Sequence, residues 1–333
     1  MCCVSVHTYT FRVDNLITNP SFRVFFSLFT ANRVAPASFV RLWDDCIIRA
    51  RNVLLTHACG MDPATHAHEQ WRIGDLNTRR DVRITAAGRI IKLRQALGSG
   101  LVGTSLWDSA VALVRYLDQE AACCQGPLCG DRLRGARVVE LGAGCGLAGM
   151  AFAAHGATVT FTDKPEVMAH LEANVQANLG DDAAAMFLPF CFGTEPHAAG
   201  LQPPYNFVVA TDVVYMGSQV APLIDSLLAL SDARTTIVVA MERRVEEVWN
   251  AFQRAFKAAF KVKRINVERI RSHLLEETDD DTAADSLGLF IAHRRNRTPP
   301  TRTEAEQQAA VNAARVEPPG SGAPGAEPLG TWD

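Results

Sequence analysis

The stretch VVELGAGCGLAG, residues 138–149, decides the fold. Val138 and Val139 open an apolar run that breaks at Gly142, Gly144 and Gly146, with a further glycine at Gly149. RVVEL (137–141) reads as a buried strand. LAGMAFAAHG (147–156) reads as a helix that ends on Gly156, so the glycines between them form a tight strand-to-helix turn. In an open sheet the ligand lies beyond the carboxyl ends of the strands, where the first helix presents free N–H groups to negative charge. Glycine is expected there because a Cβ would keep a ligand away from the backbone.

Strands and helices alternate outward from this turn. TVTFTD (158–163) is a second strand, and Pro165 suits the first turn of a helix with Val167, Met168, Leu171 and Val175 on its apolar face. FLPFCF (187–192) is a short third strand and NFVVATD (206–212) a fourth. A helix carrying Val220, Leu223, Ile224, Leu227 and Leu228 follows, then the strand TTIVVAM (235–241) and a helix with Val245, Val248, Trp249, Phe252 and Phe256 on one face. Two apolar runs complete the set, FKVKRINV (260–267) and SLGLFIAHR (286–294). Strands separated by helices require right-handed crossovers and a parallel sheet. The last two runs have no helix between them and are expected to pair antiparallel at an edge. The expected class is α/β: a Rossmann-like seven-stranded sheet, mainly parallel with an antiparallel edge pair, and helices on both faces.

With 333 residues, 48% of them hydrophobic, and a net charge of −3, the chain can bury a large core and offers no electrostatic reason to bind nucleic acid. Its nine cysteines form no C-x-x-C pair, which argues against a zinc site or a disulfide framework and fits a reducing, cytoplasmic setting. No apolar stretch reaches the roughly 18–20 residues needed to cross a bilayer, so no membrane partner is expected.

Composition divides the chain into residues 1–66, 67–296 and 297–333. The opening 60 residues contain no Lys, no Glu and one Gly. They read as a transit peptide, a small added element, or sequence upstream of a start at Met61; a poorly ordered extension is expected. The segment 297–333, rich in Pro, Gly, Ala and Glu, is expected to be a disordered tail. RRNRTPPTR (294–302) reads as a solvated basic linker or a nuclear signal.

The glycine spacing discriminates between ligands. Dinucleotide folds use G-x-G-x-x-G, whereas Gly142, Gly144 and Gly146 give G-x-G-x-G, the form of S-adenosylmethionine enzymes. Asp163, at the end of the second strand and 21 residues past Gly142, can accept both ribose hydroxyls. The competing reading is a tight turn with no ligand. Glu140, inside the first strand, is a candidate for the same site or for hydrogen bonding to loop amides.

Four further pieces carry a resemblance. GTSLWDSAVALVRYL (103–117), ELGAGCGLAG (140–149), TDKP (162–165) and DVVY (212–215) stand in the order found in the family-16 seven-β-strand methyltransferases, over about residues 80–294. The resemblance implies S-adenosylmethionine as cofactor, contacted by Trp107, Gly142, Ala143, Gly144, Asp163 and Thr211, with Gly146 in the same loop. It also implies a protein substrate, such as a chaperone, an ATPase or a translation factor, methylated on lysine; the chain itself is expected to be a monomer. Where many relatives have Trp-Gly beside the adenine, this chain has Phe192-Gly193, and a phenyl ring lacks the indole N–H.

Each residue also has a plainer reading. Trp107 precedes a helical face of Ala110, Val111, Val114 and Leu117, and Ser105-x-x-Asp108 resembles a capping box. Tyr215 reads as a pocket residue by its spacing from Asp212, or as a surface aromatic. Asn174 and Asn178 read as solvated helix positions, and His66 and His68 are assigned no metal. Asp212 and Tyr215 are expected to line the acceptor channel and hold an amine for in-line transfer, which needs neither metal nor covalent intermediate. Methylation of a histidine side chain or a small molecule, and a silent binding fold, are the alternatives.

Overall fold

The computed structural model describes residues 74–123, 125–180, 185–266 and 286–295. The expectations for residues 1–66, Met61, His66, His68 and the segment 297–333 lie outside the described residues.

A hairpin opens the described part. β1 (Asp81–Ala86) and β2 (Arg89–Arg94) pair antiparallel as a separate two-stranded sheet. Their two-residue turn, Ala87-Gly88, has positive φ at both positions (49° and 72°), the twist that suits a tight hairpin. Two helices follow, α1 (Asp108–Ala121) and the single turn α2 (Gly130–Leu133). Alternation then begins: β3 (Arg137–Leu141), α3 (Leu147–Ala154), β4 (Thr158–Asp163), α4 (Pro165–Leu179), β5 (Ala185–Pro189) and β6 (Phe207–Thr211). It continues with α5 (Val220–Leu230), β7 (Thr236–Glu242), α6 (Glu246–Ala259), β8 (Phe260–Ile265) and β9 (Leu287–Arg294).

The main sheet has seven strands in the order β5-β4-β3-β6-β7-β9-β8. The five strands from β5 to β7 are parallel, and β9 runs antiparallel to both β7 and β8. This is the expected fold, with one detail added: β9 inserts between β7 and β8, so the edge strand β8 points the same way as β7. The chain moves outward from β3 to β5 and then returns to β6, so the strand order reverses between β3 and β6. A crevice at the carboxyl ends of those two strands is the usual ligand position.

Strand alternation sorts the core onto two faces. Val138, Phe161 and Val209 pack with Leu113, Phe152 and Leu171. Val139, Val208 and Ile237 pack with Leu227, Phe252 and Phe256 on the other face. The first group belongs with α1, α3 and α4, the second with α5 and α6. None of the described helices is long and apolar enough to cross a membrane.

Four local expectations need correction. The third strand is AMFLP, Ala185–Pro189; the Phe190 amide adds a last rung to the Asp163 carbonyl (2.8 Å), and Cys191 and Phe192 lie beyond it. Val245 is the N-cap residue of α6 and 47% exposed, so it starts the helix and does not share its buried face. No side-chain cap forms at α1: Trp107 is its N-cap, and Asp108 is turned inward, accepting the Gly74 amide at 2.9 Å.

The fourth correction concerns Asn174 and Asn178, which are not solvated positions. Asn174 accepts the Arg94 amide (2.9 Å) and donates to the Arg94 carbonyl (3.0 Å). Asn178 does the same for Lys92, at 2.7 Å in both directions. Residues four apart on a helix are separated by about 6 Å along its axis, and residues two apart on a strand by about 6.8 Å. Two helical carboxamides therefore stand in for a third strand along the free edge of β2 and dock the hairpin on α4.

Candidate functional site

A cavity of about 600 Å³ opens at the carboxyl ends of β3, β4 and β6. It is bordered by Trp107, Gly142, Ala143, Gly144, Asp163, Phe192, Thr211, Asp212 and Tyr215, so nine of the residues singled out in the sequence share one space. Glu140 and Gly146 do not border it.

The turn after β3 forms one wall. Gly142 and Gly144 have φ of +59° and +57°, a region that disfavours L side chains. A Cβ on Gly144 would stand 2.8 Å from the Gly103 carbonyl oxygen. Glycine is therefore needed for the approach of the 101–105 segment to the turn, a constraint from within the chain that the sequence did not reveal. Gly146 is fixed by packing too, since its Cβ would press on Leu171 and Val175 of α4 at 2.9 Å.

Asp163 ends β4 and is 8% exposed. Its Oδ2 accepts the Gly144 amide (2.8 Å) and its Oδ1 the Lys164 amide (2.7 Å). A carboxylate has about four acceptor positions, so two stay available toward the cavity, the number a ribose diol requires. Burial raises its pKa, against the two amides and the Lys164 ammonium, which lower it.

Glu140 serves the framework. It is fully buried, and its Oε2 accepts the Gly149 amide at 2.8 Å, in the first turn of α3. Gly149 leaves room for this: a Cβ there would stand 2.5 Å from that oxygen. Burial pushes the Glu140 carboxyl up to about 8, with the Gly149 amide opposing and Asp163 adding to the rise. Cys145 borders the cavity, but burial pushes its thiol up to about 12, which leaves it protonated and a poor nucleophile.

The opposite side is built on DVVY. Asp212 follows β6 with φ +55°, a left-handed conformation that Asp tolerates better than most residues. Its amide donates to the Ala240 carbonyl (2.9 Å), and its Oδ1 accepts the Glu242 amide (3.1 Å). Its Oδ2 pairs with Arg244 Nη2 at 2.7 Å. Tyr215 is 37% exposed, at the mouth. The buried Gln219 shapes this loop by accepting the Tyr215 and Met216 amides, both at 3.1 Å. Trp107 donates its indole N–H to the Val102 carbonyl (3.3 Å), and the Arg244 guanidinium lies 4.6 Å from the centre of its ring.

Sequence reasoning passed over Gln219 and Arg244. Arg244 had a signal: the charged run Glu242-Arg243-Arg244 begins at the carboxyl end of a buried parallel strand, the end at which ligands bind. Gln219 had little, since a glutamine before a helix is common.

The arrangement fits a ligand with a ribose and a flat apolar group: an acid with acceptor capacity to spare, aromatic rings at Trp107 and Phe192, and a glycine turn at a helix N-terminus. It contains no activated nucleophile. Among the described residues no cluster of His, Cys, Asp and Glu could hold a metal ion.

Comparison with known proteins agrees. The profile of a family described as lysine methyltransferase matches residues 86–258. EEF1A lysine methyltransferase 3 of Mus musculus is 30% identical over 173 residues, 52% of this chain and 70% of that protein. Protein N-lysine methyltransferase METTL21A of Mus musculus is 30% identical over 186 residues, 55% of this chain and 79% of that protein. METTL21A of Danio rerio is 32% identical over 164 residues, 49% and 71% of the two chains. The cavity at the β3–β6 switch point and the DVVY turn beside it both lie within the matched residues, and the chain belongs to the lysine methyltransferase family.

Proposed function

We propose that this chain methylates a lysine side chain of a protein, with S-adenosylmethionine as methyl donor, and that elongation factor 1A is a substrate. The observation that carries the reading is the shared cavity: a ribose-accepting acid, Asp163, and an acceptor-side pair, Asp212 and Tyr215, border one space within the region that matches the family. The choice of elongation factor rests on the name of the mouse relative. A cytoplasmic location, expected from the cysteine pattern, belongs to the same reading.

When bound, S-adenosylmethionine supplies an electrophilic methyl group on a sulfonium. Asp163 would hold the ribose, Phe192 would pack on the adenine, and the turn from Gly142 to Gly144 would border the methionine portion. Asp212 and Tyr215 would orient the acceptor nitrogen.

The acceptor must arrive neutral. Lysine has an ordinary pKa of about 10.4, so near pH 7.4 roughly one part in a thousand is the free amine, equivalent to about 4 kcal/mol. Partial burial of the mouth disfavours the ammonium, and a fixed position for the nitrogen contributes the rest. Asp212, already held by Arg244 and the Glu242 amide, stabilises positive charge near the nitrogen and is not the base that removes its proton.

The test is transfer of labelled methyl groups from S-adenosylmethionine to purified elongation factor 1A by the full chain. Label in that protein is the expected result. Label in other lysate proteins but none in the factor would overturn the substrate assignment. No label in any protein would overturn the protein-methyltransferase reading.

A further inference from the structure

Arg244 joins two cavity-lining groups that come from different parts of the fold. Its Nη2 lies 2.7 Å from Asp212 Oδ2 and 2.6 Å from Glu242 Oε2. Its guanidinium covers the Trp107 ring at 4.6 Å. Trp107, at the start of α1, and Asp212, after β6, both border the cavity, whereas Arg244 and Glu242 stand behind them. The Glu242 amide completes the arrangement on Asp212 Oδ1, so the turn at the end of β7 supplies a donor to each oxygen of that carboxylate.

An ordinary surface ion pair contributes little, because long side chains give up freedom to form it. This one is not of that kind. The Asp212 side chain is 2% exposed and Arg244 34% exposed, so removing the guanidinium would leave a buried carboxylate without its cation. Asp212 also has a left-handed backbone, which persists only where its surroundings hold it. A planar guanidinium can bind two carboxylates and lie flat on an indole together, whereas an ammonium offers a point charge without the flat stacking face.

We infer that Arg244 is a positioning residue for methyl transfer: it fixes the Asp212 carboxylate relative to the Trp107 ring and so sets where the acceptor amine stands. The inference rests on the reading of Asp212 as an acceptor-side residue. The charged and titratable groups that face Asp212 are Glu242 and Arg244 from the end of β7, Asp108 from α1 and Tyr215 from its own turn. Arg244 is the cation among these. Without it, the Glu242 carboxyl, which burial, Asp212 and Asp108 already push up, loses the cation that opposes them.

The test uses the full chain with Arg244→Gln and Arg244→Lys, elongation factor 1A as acceptor, and S-adenosylhomocysteine as the probe for calorimetry. The Gln variant is expected to lose about tenfold or more in kcat, while its S-adenosylhomocysteine Kd stays within about threefold of the parent. Its acid limb of kcat against pH is expected to move up, and the Lys variant to bring that limb back while recovering kcat only in part. A Gln variant within about twofold of the parent kcat, or a loss shared equally by the Lys variant with the acid limb in place, would overturn the inference. Should the parent chain transfer no methyl group, the functional reading fails by itself. Arg244 is then judged by hydrogen exchange at the Asp212 and Glu242 amides, which must quicken in the Gln variant and not in the Lys variant; unchanged exchange would overturn it.

Discussion

The Asp163 carboxylate accepts the Gly144 amide at 2.8 Å, so the acid that ends β4 and the glycine turn after β3 form one hydrogen-bonded unit. The two sequence signals for the cofactor, an acid and a glycine run, are thus a single structural feature. Each holds the other at the wall of the cavity they both border.

Asp163→Ala removes the proposed ribose acceptor and the partner of two backbone amides. It is expected to weaken S-adenosylmethionine binding by about 1.5–3 kcal/mol, as for a charge-assisted hydrogen bond, and to lower Tm in the ligand-free protein as well. Calorimetry and thermal melts check this. Unchanged affinity would remove Asp163 from the cofactor site.

Glu140 makes stability depend on pH in a direction opposite to the usual one for acids. Its folded-state pKa is raised by burial from 4.5 to about 8, so between these values the unfolded chain gives up a proton that the folded chain keeps. Stability from this group is full below about pH 4.5 and is lost as pH rises toward 8. Glu140→Gln keeps an acceptor for the Gly149 amide and cannot ionise. Its Tm should fall less than that of the parent between pH 5 and 8, with the gap widest at pH 8. Parallel curves would show that the carboxyl is ionised in the folded protein.

The asparagine pair on α4 gives a stability test remote from the chemistry. Asn174→Ala removes the contacts that Asn174 makes with the Arg94 amide and carbonyl in a partly buried setting and is expected to cost about 1–3 kcal/mol, or roughly 3–10 °C in Tm. Asn178→Ala should cost less, because water can reach Lys92 in its place. Equal and negligible effects would mean that the hairpin is held by its apolar face alone.

The fold was legible because its signals are local and repeated. A β-branched run, a glycine break and an apolar helix face recur along the chain, and each reports its own burial. The candidate site was legible where the chemistry is tied to position along a strand, as with Asp163 at the end of β4 and Asp212 after β6. What could not be read depends on partners distant in sequence. Nothing near Asn174 shows that Arg94, 80 residues earlier, supplies the backbone edge it binds. Gly144 showed that a side chain was excluded but not that the Gly103 carbonyl was the reason. Arg244 acts across 32 residues on Asp212 and across a larger gap on Trp107, and only the folded sheet brings the three together.

Asp212→Asn and Tyr215→Phe act on the acceptor side of the cavity. Both are expected to lower kcat by about tenfold or more while changing S-adenosylmethionine affinity little, because the proposed function places them on the nitrogen that receives the methyl group. Steady-state kinetics paired with calorimetry separates the two effects. Full activity in both variants would place the acceptor channel elsewhere.

The central claim, methyl transfer to lysine, is tested most directly by the chemical identity of the product. Protein labelled with methyl-tritiated S-adenosylmethionine by the full chain is hydrolysed to free amino acids, and the radioactivity is separated by chromatography against methylated standards. The account predicts that the label elutes with methylated lysine. Label in methylhistidine, or recovered only in small molecules with none in protein, would contradict it.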